Sequence, residues 1–177
     1  MQYTRVTNPG ASYFFTLNIT NRKSKLLLEH IDKLRNAFTR VKSKHPFKLD
    51  AIVILPDHLH AIMTLPENDA NYSMRWSLIK SYFSRGIVNK ESITNSRKSK
   101  RERGIWQRRF WEHCIRDPLD YQRHVDYIHF NPVKHGYVEK AVDWHYSSIH
   151  RYISQGVLAA NWGGGYAEDS VGEFGEW

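Results

Sequence analysis

The stretch from Phe47 to Leu65 constrains this chain more than any other. Two apolar runs, Ala51-Ile52-Val53-Ile54-Leu55 and Leu59 to Leu65, are separated by Pro56-Asp57. Proline and aspartate start turns, so residues 47–55 and 58–65 read as two strands folded back on each other. Side chains alternate along a strand. Leu59, Ala61, Met63 and Leu65 then face a core, and His58, His60, Ile62 and Thr64 take the other face. The two histidines sit ~7 Å apart along that face. Imidazole is the commonest metal-ligating side chain, so the pair can share an ion. The plain alternative is two hydrogen-bonded strand histidines.

The neighbouring segments supply the rest of a sheet and its helices. Tyr13 to Thr20 alternates, with Phe15, Leu17 and Ile19 on one face, as a half-buried strand does. Leu27, Ile31, Leu34, Phe38 and Val41 form a helical stripe over about Ser24 to Lys44. Ser73 caps a second helix, about 74–88, with Trp76, Ile79 and Phe83 buried. Residues 89–104 hold Lys90, Arg97, Lys98, Lys100, Arg101 and Arg103 with almost nothing apolar, the composition of a flexible basic loop. A strand is expected within Ile105–Ile115. Asp117-Pro118 then starts a third helix, expected to end near Asn131 because Pro132 disfavours helical geometry before it. The order β-α-β-β-α-β-α predicts a ferredoxin-like α+β fold, with two helices on one face of an antiparallel sheet. The other face, where His58 and His60 point, is expected to be open. One domain is expected over residues 1–160, followed by an acidic, Gly-rich tail over 161–177.

Composition narrows the function classes. No apolar run approaches the ~20 residues of a membrane span, and residues up to Gly10 do not form a signal-peptide core. The single cysteine, Cys114, excludes an internal disulfide and fits a reducing cytoplasm; a small buried hydrophobe is its simplest role. The chain has 26 Lys+Arg against 18 Asp+Glu. No basic residue follows Arg151, whereas Glu168, Asp169, Glu173 and Glu176 all do. A basic body with 14% aromatic residues favours a nucleic-acid partner over a membrane surface.

On the third helix, Asp120, His124, Tyr127 and Asn131 fall at i, i+4, i+7 and i+11, one stripe. Tyr121, Val125 and Ile128 form another, better suited to a core. Tyr127 is therefore the tyrosine that shares a face with polar residues; its bland reading is an amphipathic rim residue. A metal site facing a tyrosine is apparatus for attacking a phosphodiester.

Three blocks carry a resemblance. Leu55-Pro56-Asp57-His58-Leu59-His60, Ile105-Trp106-Gln107-Arg108-Arg109-Phe110-Trp111-Glu112-His113, and Asp126-Tyr127-Ile128-His129-Phe130-Asn131-Pro132-Val133-Lys134-His135-Gly136 resemble, in that order, the REP-associated tyrosine transposases. These belong to the single-tyrosine HUH superfamily of DNA-nicking enzymes. The resemblance runs from about Tyr13 to Trp162 and implies an HUH-type ferredoxin-like fold. It implies His58 and His60 as metal ligands, Tyr127 as nucleophile, and Asn131 as a third polar ligand where related transposases often have glutamine. The implied cofactor is Mg²⁺ or Mn²⁺. The implied substrate is single-stranded or hairpin DNA, cut through a 5′-phosphotyrosine with no nucleotide cofactor, at a bacterial nucleoid.

Arg108, Arg109, Lys98, Lys100, Arg101 and Arg103 are candidate phosphate contacts. Trp106, Phe110 and Trp111 are candidates for base stacking or, more simply, for core packing. Two other readings remain: a hairpin-binding module that does not cut, and a metal-dependent phosphohydrolase that uses water. The oligomeric state is left open.

Overall fold

The computed structural model describes residues 7–88, 93–100 and 102–163. Four strands form one antiparallel sheet: β1 (Ser12–Asn18), β2 (Lys48–Ile54), β3 (His58–Thr64) and β4 (Trp111–Cys114), in the order β2-β3-β1-β4. This is the ferredoxin-like arrangement that the element order implied. The β2–β3 turn falls at Pro56-Asp57, closed by Leu55 N–H donating to the His58 carbonyl at 2.9 Å.

On one face, Phe15, Leu17, Leu59, Ala61 and Met63 pack with Leu34, Trp76, Ile79 and Phe83 into the larger core. Those last four come from α2 (Ile31–Lys44) and α3 (Tyr72–Ser84). The expected long helix over 24–44 is instead broken at His30, so that α1 (Leu26–Glu29) is a separate turn. The break follows from a tether: Leu27 N–H donates to the Pro56 carbonyl at 3.2 Å, drawing that turn onto the β2–β3 connection. The α3 cap is Asn71, whose side chain accepts from Met74 N–H at 3.0 Å, two residues before Ser73. Gly86, at φ +75°, takes the chain out of the helix.

The opposite face is not open. Here α5 (Pro118–Lys134) packs over β2 and β3, and Phe14, Val53, Ile62, Val125, Tyr127 and Ile128 form a second core. β1 is therefore buried on both faces rather than half-buried. Asp117 caps α5 as expected, its carboxylate accepting from Asp120 N–H at 2.8 Å. The helix runs through Pro132 to Lys134 instead of stopping at Asn131. Burial of Phe130, Asn131 and Pro132 holds the turn in place. His135 N–H still reaches the Asn131 carbonyl at 3.0 Å, and Gly136, at φ +69°, ends the helix.

Beyond α5, a short 3-10 turn (Ala141–Asp143) and α6 (Ile149–Ser154) lead back to the sheet. Ile54 N–H donates to the Tyr146 carbonyl and Ser148 N–H to the Ile52 carbonyl, both at 2.8 Å, covering the β2 edge. The basic stretch contains α4 (Asn95–Ser99) among its described residues. Arginines tie it down: Arg97 donates to the Trp106 carbonyl at 3.1 Å and Arg108 to Ser96 Oγ at 3.0 Å. Arg101 and residues 164–177, which include all four acidic residues of the tail, lie outside the described residues. No helix among the described residues is long and apolar enough to cross a membrane.

Candidate active site

Strand alternation puts His58 and His60 on the face beneath α5, and both are buried. Their ring centroids lie 5.1 Å apart, with the planes nearly perpendicular. Each ring is held through Nδ1. His60 Nδ1 is hydrogen-bonded to Thr16 Oγ1 at 2.8 Å, and His58 Nδ1 to Asp57 Oδ1 at 2.8 Å. Asp57 is in turn paired with Arg22 at 2.7 Å. Burial works to raise the Asp57 carboxyl, but the hydrogen bond from His58 and the charges of His58 and Arg22 outweigh it, so Asp57 stays below the usual carboxylate range. Burial pushes His58 down despite Asp57, keeping its imidazole neutral at neutral pH. His58 Nε2 is buried with no hydrogen-bond partner among the described residues.

A neutral imidazole oriented through one nitrogen, with the other lacking a protein partner, is what a metal-ligating histidine looks like. The donor set therefore fits a divalent cation.

Tyr127 reaches this pair from α5. Its ring is 5.2 Å from that of His60, edge to face, and 5.9 Å from Phe14. It is fully buried, which rules out the rim reading: the polar stripe of α5 faces the sheet, not solvent. Asn131 lies one turn further along that stripe and is also fully buried. Lys134 Nζ donates to the Tyr127 hydroxyl at 3.5 Å. His135 stands 5.2 Å from His58.

Sequence reasoning did not single out Thr16, Lys134 or His135 as parts of this site. The first was findable from register, since Thr16 pairs with His60 on the neighbouring strand. Lys134 was findable from its i+7 spacing to Tyr127.

The other half of the α5 stripe meets different partners. Asp120 is hydrogen-bonded to His113 at 2.8 Å and accepts from Arg116 Nε at 3.1 Å, and His124 Nδ1 lies 3.3 Å from it. The His113 and His124 rings stack 4.7 Å apart. Burial alone would raise Asp120, but its bonds with Arg116 and His113 hold it well below the carboxylate range. These three residues offer ligand atoms within 4.8 Å of one another. The bound Arg116 guanidinium and the near-parallel rings make them an ion-pair network rather than converging ligands.

The predicted DNA contacts do not gather at the histidines. Lys98, Lys100 and Arg109 are exposed. Arg108 is paired with Glu102 at 2.8 Å, and Arg103 donates to the Ile87 carbonyl. Of the aromatics, Trp106 is buried in the larger core, Phe110 packs against it, and Trp111 packs against the smaller one.

Residues 9–131 match the family described as Transposase IS200 like. The chain belongs to the IS200-like transposase family. The REP-associated tyrosine transposase of Escherichia coli K12 is 42% identical over 172 residues, covering 97% of this chain and 96% of that protein. A Haemophilus influenzae relative assigned to the same transposases is 45% identical over 163 residues, covering 92% and 93%. A solved structure of the REP-associated tyrosine transposase bound to a REP hairpin superposes with a TM-score of 0.82 at 42% identity, covering 98% of this chain and 97% of that one. The resemblance of the three sequence blocks thus holds over nearly the whole chain. The family is one of tyrosine transposases, HUH-type enzymes that nick DNA.

Proposed function

We propose that this transposase nicks and rejoins single-stranded DNA carrying a REP-type hairpin, with Tyr127 as nucleophile and His58, His60 and Asn131 as ligands of a divalent cation. The observation that carries the reading is the 5.2 Å approach of the Tyr127 ring to His60, within a buried cluster whose second histidine has an unpartnered Nε2. The hairpin substrate is supported by the solved relative, which is bound to one.

The chain's own residues account for the chemistry. The Tyr127 phenol oxygen attacks the scissile phosphorus, and the bond from phosphorus to the 3′ oxygen breaks. A 5′-phosphotyrosine and a free 3′-OH result, with the phenol proton lost and the 3′ oxygen gaining one. The number of phosphodiester-type bonds is unchanged, so rejoining by the reverse attack needs no nucleotide. A phenol of pKa ~10 is a weak nucleophile at neutral pH; α5 fixes its position, and Lys134 places an ammonium beside the reacting oxygen. Asp57 and Thr16 hold the two imidazoles in orientation. A cation such as Mg²⁺ or Mn²⁺ held there would neutralise phosphate charge and orient the group for in-line attack.

The test is a denaturing gel of protein, Mn²⁺ and a labelled REP-type hairpin with single-stranded flanks. The expected result is a shorter labelled product and label co-migrating with protein. Binding without cleavage would make the protein a hairpin-recognition module. Cleavage with no adduct would make water the nucleophile.

A further inference from the structure

Arg22 lies outside the three sequence blocks, on the turn that follows β1, and its side chain reaches back toward the histidine pair. Its Nε donates to Asp57 Oδ2 at 2.7 Å, and its Nη1 donates to Asn18 Oδ1. Both partners are buried and both flank His58. Asp57 precedes it in sequence, and Asn18 is its partner across the β1–β3 ladder. The backbone secures the same junction. Ile19 N–H donates to the Asp57 carbonyl at 2.7 Å. Asn21 closes the turn around Arg22, its side chain accepting from Lys23 N–H and its carbonyl from Ser24 N–H, both at 3.0 Å. Asp57 thus has both carboxylate oxygens committed, Oδ1 to His58 Nδ1 and Oδ2 to Arg22. An ionised carboxylate only accepts, so the proton of the imidazole bond sits on Nδ1 and the lone pair on Nε2.

We infer that Arg22 is a positioning residue for the metal site: by gripping Asp57 and Asn18 together, it fixes the His58 imidazole in the orientation that leaves Nε2 for the cation. The inference rests on the reading of His58 as a ligand, and adds to it a residue that does not itself touch the ion. A guanidinium presents several donors in a rigid fork, so one side chain sets two anchors at once. A carboxylate held at one oxygen can turn about its Cβ–Cγ bond and take the imidazole with it. Held at both, it cannot. Outer partners of this kind orient metal-ligating histidines. The sign of the effect separates positioning from charge. Arg22 opposes positive charge on His58, and it opposes a bound dication for the same Coulombic reason. Were charge its only role, removing Arg22 would tighten metal binding. Positioning demands the reverse.

Calorimetry of the full-length protein with Mn²⁺ alone tests this, with no DNA present. Arg22→Met is expected to bind Mn²⁺ about ten-fold more weakly, the lower end of what partners beyond the ligands contribute. Unchanged or tighter binding would overturn the inference. In an Asp57→Asn background the same substitution should cost nothing further, because the two residues act through one chain of contacts. An additive loss there would overturn it too. Hairpin affinity in EDTA should match the wild type. A loss on the hairpin with wild-type Mn²⁺ affinity would make Arg22 a DNA contact and overturn its positioning role.

Arg22 is exposed on its turn, so the methionine variant is expected to fold. If it does not, Arg22→Lys, which keeps the charge and loses the fork, carries the same test. Weaker Mn²⁺ binding is again expected, and wild-type affinity would overturn the inference. His58→Ala reports the underlying reading separately. Undiminished Mn²⁺ binding in that variant would remove His58 as a ligand, whereas a loss there with none in Arg22→Met would remove only the role of Arg22.

Discussion

Thr16 and His60 face each other across the β1–β3 ladder, and the Thr16 hydroxyl is hydrogen-bonded to His60 Nδ1 at 2.8 Å. The bond commits His60 Nδ1 to the protein, and on the proposed reading it orients this imidazole toward the cation. Thr16→Val keeps the shape and removes the bond. Outer partners of this kind are worth about 10–100-fold in metal affinity. The variant should fold, bind Mn²⁺ more weakly by that factor in calorimetry, and need correspondingly more Mn²⁺ for nicking. Wild-type Mn²⁺ affinity would show that His60 is not a ligand.

Metal removal should stop cleavage without unfolding the protein. The sheet carries an apolar core on each face, Phe15, Leu59, Met63 and Trp76 on one and, beside the two histidines, Phe14, Val53 and Ile62 on the other, which should hold the fold without an ion. The circular dichroism spectrum and thermal midpoint in EDTA should match those of metal-free protein in plain buffer, with both spectra native. Loss of the native spectrum on chelation would make the site structural.

Asp120 gives an acid-side signature. Burial opposes its ionisation, but Arg116 and His113 hold its folded pKa below the unfolded value of ~3.9. A carboxyl lowered in this way contributes stability above its unfolded pKa and loses it as pH falls toward the folded one. Asp120→Asn should therefore cost on the order of 1–3 kcal/mol near pH 7, the usual scale for a buried group stripped of its partners. The gap to wild type should narrow as pH drops from about 5 toward 3. Urea midpoints across that range check it; a constant gap would mean that the ion pairs do not form.

The fold was legible because its signals were local. Pro56-Asp57, Asp117-Pro118 and the alternation of Leu59, Ala61 and Met63 each specify a turn, a cap or a face without reference to distant residues. What was not legible depended on tertiary contact. The break at His30 comes from the Leu27 bond to Pro56, and the passage of α5 through Pro132 comes from burial of its last turns. The closed second face follows from where α5 lies, which no local pattern states. The site followed the same division. His58 and His60 were visible as a period-two pair and Tyr127 as one member of a polar stripe, but two groups of that stripe meet different strands. Asp120 and His124 join His113 on β4, while Tyr127 joins His60 on β3, and only the sheet order decides between them.

DNA affinity should depend on salt through the exposed lysines of α4 and the residue after it. Lys98 and Lys100 are exposed, whereas Arg108 is paired with Glu102. Lys98→Ala with Lys100→Ala should flatten the slope of log K against log salt by about 0.7 for each single-strand phosphate that is no longer neutralised. Arg108→Ala should flatten it less. An unchanged slope in the lysine variant would remove this segment from the DNA path.

The central claim is that Tyr127 carries the covalent bond to DNA, and peptide mapping of the adduct tests it most directly. Wild-type protein treated with Mn²⁺ and a flanked hairpin, then digested and analysed by mass spectrometry, should carry the nucleotide phosphate on Tyr127. Tyr127→Phe should bind the same hairpin with unchanged affinity and give no adduct. An adduct on Tyr121 or any other residue, or undiminished adduct in the Tyr127→Phe variant, would contradict the account.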